Sequence, residues 1–227
     1  MTSLMLVALQ RGMKILYDCL EMLTAVLSKF KSYFRHFTIS ETGDKAVTWH
    51  GRNLTVHVAQ IWLETLESML TEAERARKKT VPTMDEYIAN ASVSFGLGPI
   101  VLPALYLVGP KLSEKQVESP EYHNLFRLMS TSRRLLNDIQ SYERESKQGK
   151  LHAVTLQMLD RSGTSEREAI ERISSIIISM RRELLKLVLQ EKDSIIPRAC
   201  KDLFWKMSAV MHLFYMNADG FASDEKT

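Results

Sequence analysis

The residues best suited to chemistry are Asn137, Ser141 and Glu145, which recur at intervals of four positions. An α-helix turns by about 100° per residue, so these side chains advance by only ~40° per step and share one face. Amide, hydroxyl and carboxylate oxygens are ligands that Mg2+ prefers, together with waters and substrate phosphates. The pattern indicates a candidate metal site, and its alternative is the solvated face of a polar helix.

Two permanent cations flank this face, with Arg134 before Asn137 and Lys150 after Glu145. Cations beside a divalent metal suit a polyphosphate, whose oxygens can bridge the metal and a guanidinium. At a rise of about 1.5 Å per residue the two ends of the triad start roughly 12 Å apart, so both must lean toward Ser141. The flanking cations favour a polyphosphate site over a helical scaffold without a ligand.

The composition predicts that these residues stand in an all-α protein of one domain. The 227 residues include only 9 glycines and 6 prolines, and the abundant Leu, Met, Glu, Lys and Arg favour helices. The net charge of +3 comes from interspersed charges and gives no indication of nucleic-acid binding. The longest early apolar run, residues 4–9, is far shorter than the 18 or so residues of a membrane span.

Apolar residues at helical spacing predict long helices over residues 4–37 and 44–79. A capping box at Thr83 and Glu86 begins a third helix, which meets Gly-Leu-Gly-Pro at 96–99 before a short helical piece over 100–108. This break has two interpretations. It either lines a cavity or is a packing joint between two helices.

The helix that carries the triad begins at Ser119 and Pro120, a good N-cap followed by proline in the first helical position. It is predicted to end near Gly149. A short helix over 154–159, a helix from the capping box at Ser165 to about residue 191, and a last helix over 197–216 complete seven or eight helices in series.

Other catalytic motifs are absent from the sequence. The six histidines have no paired metal-ligand spacing and are expected to be ordinary surface or core residues. The two cysteines have no zinc-binding spacing, which makes a reducing compartment the default. No P-loop, G-x-G-x-x-G or G-x-S-x-G motif occurs, so standard nucleotide binding and serine hydrolysis lose support.

The triad and its surroundings resemble a known family. Residues 136–145 read LNDIQSYERE and look like the second metal-binding motif, N/D-D-x-x-S/T-x-x-x-E, of class I terpene synthases. Three further stretches narrow the resemblance to plant ent-kaurene synthases and kaurene-synthase-like diterpene synthases: SFGLGPIVLP at 94–103, ESPEYHNL at 118–125 and PRACKDLFW at 197–205. The resemblance covers about residues 39 to 225.

The resemblance implies a fold and a reaction. The fold would be part of the class I terpene synthase helical bundle. The enzyme, a lyase of diterpenoid and gibberellin biosynthesis, would ionise a prenyl diphosphate such as ent-copalyl diphosphate with Mg2+ and cyclise the carbocation to a diterpene such as ent-kaurene in an apolar pocket. The implied location is the plastid, with the cytoplasm as the alternative because the sequence carries no clear transit peptide.

The resemblance also implies roles for individual residues. Asn137, Ser141 and Glu145 would hold one Mg2+. Asp138 would support these ligands without contacting the metal itself. Further residues would bind the substrate diphosphate (Arg134, Lys150), line the cavity (Phe95, Ile100) or belong to the lid (Tyr215, Asp219).

One departure from the family pattern limits these expectations. The aspartate-rich first metal motif, D-D-x-x-D, occurs nowhere in the 227 residues. We therefore expect residues 1–38 to be a divergent N-terminal helix and residues 39–227 to be an incomplete metal-binding C-terminal domain with little or no turnover alone. The alternative is a non-catalytic helical interaction protein derived from a terpene synthase, which pairs with full-length synthases.

Overall fold

A computed structural model of the chain describes residues 54–108, 110–160 and 163–215. All of them belong to the second of the chain's two units, Asn53–Thr227. These residues form α-helices and their connections, with no β-strand among them, which confirms the all-α prediction for this part of the chain. The predicted helix over residues 4–37 lies outside the described residues.

Eight helices follow one another in the described ranges. In chain order they are α1 (Leu54–Lys78), α2 (Met84–Ser94), α3 (Leu97–Val108), α4 (Glu114–Val117), α5 (Pro120–Lys147), α6 (Ala153–Asp160), α7 (Glu166–Leu189) and α8 (Arg198–Phe214). None of these eight is both long enough and apolar enough to cross a membrane.

The predicted N-caps begin their helices as expected. The Thr83 hydroxyl accepts from the amide of Glu86, whose carboxylate in turn accepts from the Thr83 amide at 2.8 Å. Ser119 caps α5 through the amide of Tyr122, and Ser165 forms a second capping box at α7. The four-residue helix α4 was not predicted, because so short a segment carries no periodic signal.

The predicted break between α2 and α3 is present, and α3 begins at Leu97, three residues earlier than predicted. Gly96 turns the chain with a φ of +79°, a value that suits glycine. Pro99 lies in the first turn of α3, where no helical partner needs its missing amide hydrogen. A Cβ on Gly98 would lie 3.2 Å from Cγ2 of Ile61 in α1, and this close approach supports the packing-joint interpretation.

Helix α5 lies at the centre of the described helices. It packs against α7 and α8 most extensively, and also against α2, α4 and α6. A core cluster joins α2, α5, α6 and α7 through the buried side chains of Tyr87, Ala91, Leu135, Ala153, Val154, Leu156, Ala169, Ile173 and Ile177. Since five helices contact α5, the side chains on its packed faces are buried between helices.

Helix α8 and the connection before it are fixed to the start of α5 by Lys201 and Glu121. Lys201 is 2% exposed, and its ammonium lies 3.6 Å from the Glu121 carboxylate and donates to the Ser194 hydroxyl at 2.8 Å. The Glu121 carboxylate also accepts from the amide of Ile195. These contacts set the position of α8 beside α5.

We expect Ile173→Ala to lower the free energy of unfolding by about 2–5 kcal/mol, because Ile173 is fully buried in the core cluster and truncation leaves a cavity. Ile178 is on the same helix but 51% exposed, so Ile178→Ala is the matched control, with an expected cost below about 1 kcal/mol. Urea unfolding measures both. Equal costs for the two variants would contradict the placement of this core.

Candidate metal site

A buried carboxylate sets the orientation of α5 at the candidate site. Asp138 is fully buried. Its Oδ2 accepts from the Tyr87 hydroxyl of α2 at 2.6 Å and from the backbone amide of Ala153 of α6 at 3.1 Å. Its Oδ1 lies 2.9 Å from Nε of Arg134; this contact is an ion pair without hydrogen-bond geometry. One side chain therefore joins three helices.

Arg134 completes this network. Its guanidinium donates to the Tyr87 hydroxyl from Nε at 3.1 Å and from Nη2 at 2.8 Å, and only 16% of its side chain is exposed. Burial lowers the pKa of Arg134, but the charges of Asp138, Tyr87 and Glu72 outweigh burial and hold that pKa above its usual range. Burial, followed by the charge of Asp138, raises the pKa of Tyr87. Arg134 thus remains a cation, and its contacts hold it beside Asp138.

The three triad residues differ in burial. Ser141 is 1% exposed, and Asn137 and Glu145 are partly exposed. The Ser141 hydroxyl has no hydrogen-bond partner among the described residues, although a helical serine can bond to the carbonyl one turn earlier. Thr65, for example, donates to the Ile61 carbonyl at 2.9 Å. The Ser141 oxygen is therefore free to accept a ligand.

A glycine turn at the end of α5 brings Lys150 back to Glu145. Gly149 has a φ of +71°, and the amide of Lys150 bonds to the Glu145 carbonyl at 3.1 Å while the Gly149 amide bonds to that of Ser146. This pair of bonds is a Schellman motif. The Lys150 ammonium consequently lies 3.9 Å from the Glu145 carboxylate, with 60% of its side chain exposed. A cation thus stands beside the carboxylate end of the triad.

The structure adds two residues that sequence reasoning did not assign to the site. Tyr87 holds Asp138 and Arg134 together, and His152 is fully buried against the ring of Tyr142 at 4.9 Å between centroids. Burial lowers the pKa of His152, while the charges of Asp138 and Glu145 act in the opposite direction. Nε2 of His152 has no hydrogen-bond partner in residues 54–108, 110–160 and 163–215. Spacing along the sequence could not assign Tyr87 to the site, since it lies 51 positions from Asp138. His152 has no paired metal-ligand spacing that would have identified it.

The predicted cavity and lid residues are more scattered. Phe95 caps the end of α2 and is half-buried, while Ile100 in α3 is 47% exposed. Tyr215, at the end of α8, is buried. Asp219 lies outside the described residues. The roles proposed for these residues remain predictions.

Conventional metal clusters do not occur in the described ranges. No group of three or more His, Cys, Asp or Glu side chains there could hold a metal ion. The triad belongs to a different class, because only one of its three ligands is a carboxylate and the others are an amide and a hydroxyl. Such a set fits a hard cation that takes its remaining ligands from phosphate and water.

Asp138→Asn should lower the free energy of unfolding by about 3–5 kcal/mol, because it leaves the Arg134 guanidinium buried without its counter-charge. Asp202→Asn is the control: the Arg198–Asp202 pair has a similar 2.8 Å separation but is exposed, so its loss should cost less than about 1 kcal/mol. Urea unfolding at neutral pH compares them. A cost for Asp138→Asn as small as that of the control would contradict the network.

His152 should make the fold less stable in mild acid. Its pKa in the folded state lies below the ordinary value of 6.5, so the unfolded chain binds the proton first and stability falls as the pH drops below about 6.5. Replacing His152 by Asn, which can keep a contact at the Nδ1 position, should flatten the melting temperature between pH 7.5 and 5. The exposed His123→Asn variant should keep the wild-type slope, and an unchanged slope in His152→Asn would contradict this assignment.

Comparison with known proteins assigns the family. Residues 13–183 match the metal binding domain of the terpene synthase family. Ent-kaurene synthase-like 1 from Ricinus communis is 57% identical over 208 residues, which are 91% of this chain and 28% of that protein. Other relatives, named as chloroplastic ent-kaurene synthases, are 56–57% identical.

Solved structures agree in fold. Abietadiene synthase from Abies grandis aligns with a TM-score of 0.71 at 32% identity, covering 82% of this chain and 24% of that one. Isoprene synthase from grey poplar, in complex with three Mg2+ ions and dimethylallyl-S-thiolodiphosphate, also gives a TM-score of 0.71, at 22% identity over 85% of this chain and 36% of that one.

The matches cover most of this chain but only part of each relative. The family match begins upstream of residue 39, where the resemblance noted in the sequence begins, and a boundary after residue 38 remains a prediction. The chain spans 23–28% of the length of the curated relatives it matches. By its sequence and its helical fold, the chain belongs to the terpene synthase family, class I.

Proposed function

We propose that this chain provides one side of the metal-diphosphate site of a class I diterpene synthase. In this proposal Asn137, Ser141 and Glu145 hold one Mg2+ through their side-chain oxygens. The family assignment supports a divalent metal, since the matched region is the metal binding domain. The isoprene synthase structure, with three Mg2+ ions and a diphosphate analogue, supports Mg2+ as that metal.

The observation that carries the proposal is the unpartnered hydroxyl of Ser141. A buried hydroxyl without a hydrogen bond is costly, and Ser141 is 1% exposed at the middle of the triad. A cation at this point would use the free lone pair and draw Asn137 and Glu145 inward. When bound, Mg2+ would supply Lewis-acid and electrostatic stabilisation to the departing diphosphate.

The cations of the site have separate tasks. Lys150 is exposed and lies beside the Glu145 carboxylate, so its ammonium can reach a phosphate oxygen of the substrate. Arg134 is held by Asp138 and Tyr87, and we propose that it presents a fixed positive charge to the diphosphate. A fixed charge needs no reorganisation when the substrate ionises.

We infer a C20 diphosphate, such as ent-copalyl diphosphate, as the substrate class and a diterpene such as ent-kaurene as the product. The inference is supported by the names of the ent-kaurene synthases that this chain resembles. Helix α3 is apolar throughout, reading LGPIVLPALYLV, and it would form part of a pocket that excludes water. Ile100 in this helix would then influence the product. The chloroplastic names of relatives support a plastid location.

Turnover by these 227 residues alone should be small. They contain no D-D-x-x-D sequence, so the triad supplies one side of a clamp whose other side is expected from that motif. We propose that the chain binds metal and diphosphate and that cyclisation needs the opposing acidic side chains.

A non-catalytic interaction protein is the second candidate. Helix α1 exposes Leu63 by 48% and Leu70 by 60%, and these residues, seven positions apart, share one face. Such a stripe could contact a full-length synthase. This candidate predicts no Mg2+-dependent diphosphate binding. A calorimetric titration with pyrophosphate and Mg2+ therefore separates it from the metal-site proposal.

We expect calorimetric titration to show pyrophosphate binding that depends on Mg2+. Glu145→Ala should weaken this binding by about tenfold or more, the scale on which metal sites respond to loss of a supporting group. Glu143→Ala is the matched control, because Glu143 is an exposed carboxylate on the same helix but outside the triad. Wild-type binding that is unaffected by Glu145→Ala would contradict the proposal.

The turnover prediction is tested separately. Purified chain incubated with Mg2+ and ent-copalyl or geranylgeranyl diphosphate should release little or no hydrocarbon, as measured by gas chromatography. Robust Mg2+-dependent cyclisation would contradict the one-sided clamp and leave the metal triad intact as a proposal.

A further inference from the structure

A second cationic centre lies on α5, one residue from Arg134. Arg133 is fully buried, and within the described ranges neither Nη1 nor Nη2 of its guanidinium has a hydrogen-bond partner. Its only hydrogen bond among the described residues is a long one, 3.4 Å, from Nε to the Ser132 hydroxyl. Adjacent helical residues point about 100° apart, so Arg133 lies on a different side of α5 from the Asp138 network.

Helix α8 contributes two further polar groups that have no hydrogen-bond partner in the part of the chain that the structure describes. They are the hydroxyl of the fully buried Ser208 and the buried Nδ1 of His212. Ser208 and His212 are four positions apart and share a helical face. Trp205 precedes Ser208 by three positions, and its ring lies 5.9 Å from Cζ of Arg181 in α7. This face of α8 is therefore turned toward Arg181.

Helices α5, α7 and α8 pack against one another, and the charges of Arg133 and Arg181 act on groups at this interface. Burial, then the charge of Arg181, lowers the pKa of Arg133 to about 10, so Arg133 stays charged at neutral pH. Burial, then Arg181 and Arg133, lowers the pKa of His212. No acidic side chain in the described ranges forms an ion pair with any of these three residues. A buried charge without a partner is strongly unfavourable.

We propose that Arg133, Arg181, Ser208 and His212 form a second oxyanion site, which takes a phosphoryl group without a metal ion. Their guanidinium, hydroxyl and imidazole groups can donate from α5, α7 and α8, which suits a tetrahedral oxyanion better than a planar carboxylate. Arg181 and His212 are half-buried, so these two members of the set are partly accessible to solvent. The site is independent of the metal triad and does not rest on the proposed function.

The test is anion-dependent thermal stabilisation of the full chain in EDTA, which removes the metal contribution. Inorganic phosphate and pyrophosphate should each raise the melting temperature above that in chloride of equal ionic strength. A stronger response to pyrophosphate than to phosphate would show that the site takes a diphosphate. Equal responses to the two anions would show that it takes a single phosphoryl group. Arg133→Met should weaken the apparent anion affinity at least fivefold, and Glu143→Ala, at an exposed carboxylate of α5 outside the triad, should leave it unchanged.

The variant controls keep the proposal falsifiable. Arg133→Met removes an unpaired buried charge, so without anion it should melt at or above the wild-type temperature. If it fails to fold, Ser208→Ala and His212→Asn replace it, and each should weaken the anion response. A wild-type response no greater than that to chloride, or a response retained in these variants, would overturn the proposal.

Discussion

The buried carboxylate of Asp138 is the interaction on which the arrangement of the site depends. It accepts hydrogen bonds from the Tyr87 hydroxyl of α2 and the Ala153 amide of α6, and it forms an ion pair with Arg134 on its own helix. A buried ion pair is tolerated when hydrogen bonds satisfy its remaining polar atoms, and here they do so from two further helices. Fixing Asp138 fixes the rotation of α5, and the face that carries Asn137, Ser141 and Glu145 follows from that rotation.

Two consecutive arginines show how strongly that rotation decides chemistry. Arg134 turns toward Asp138 and Tyr87, where the neighbouring charges maintain its protonation. Arg133 is buried on another side, where the charge of Arg181 acts with burial to lower its pKa and where Arg133 in turn helps to lower the pKa of His212. The charge of the arginine is thus compensated by an acidic partner at position 134, and no described acidic side chain pairs with it at position 133. The central position of α5 imposes both environments, because neither side chain can swing into bulk water.

Local signals in the sequence predicted most of the helical framework. The N-caps at Thr83, Ser119 and Ser165 are decided within one turn, as is the break at Gly96, where the chain adopts a positive φ. The face proposed to bind metal is likewise predicted from spacing alone. What spacing could not predict is which polar side chains find partners. The Tyr87–Asp138 bond spans 51 positions. Nothing local distinguishes Arg133 from Arg134 or shows that the Ser141 hydroxyl forms no hydrogen bond with the described residues.

The most direct test of the central claim is to locate the bound metal with Mn2+ as a paramagnetic substitute for Mg2+. In backbone amide NMR spectra recorded with pyrophosphate, substoichiometric Mn2+ should broaden signals around residues 137–145 first, and Ser141→Ala should greatly reduce that broadening at the same Mn2+ concentration. Broadening centred elsewhere, or unchanged in Ser141→Ala, would contradict the assignment of this face of α5 as the metal site.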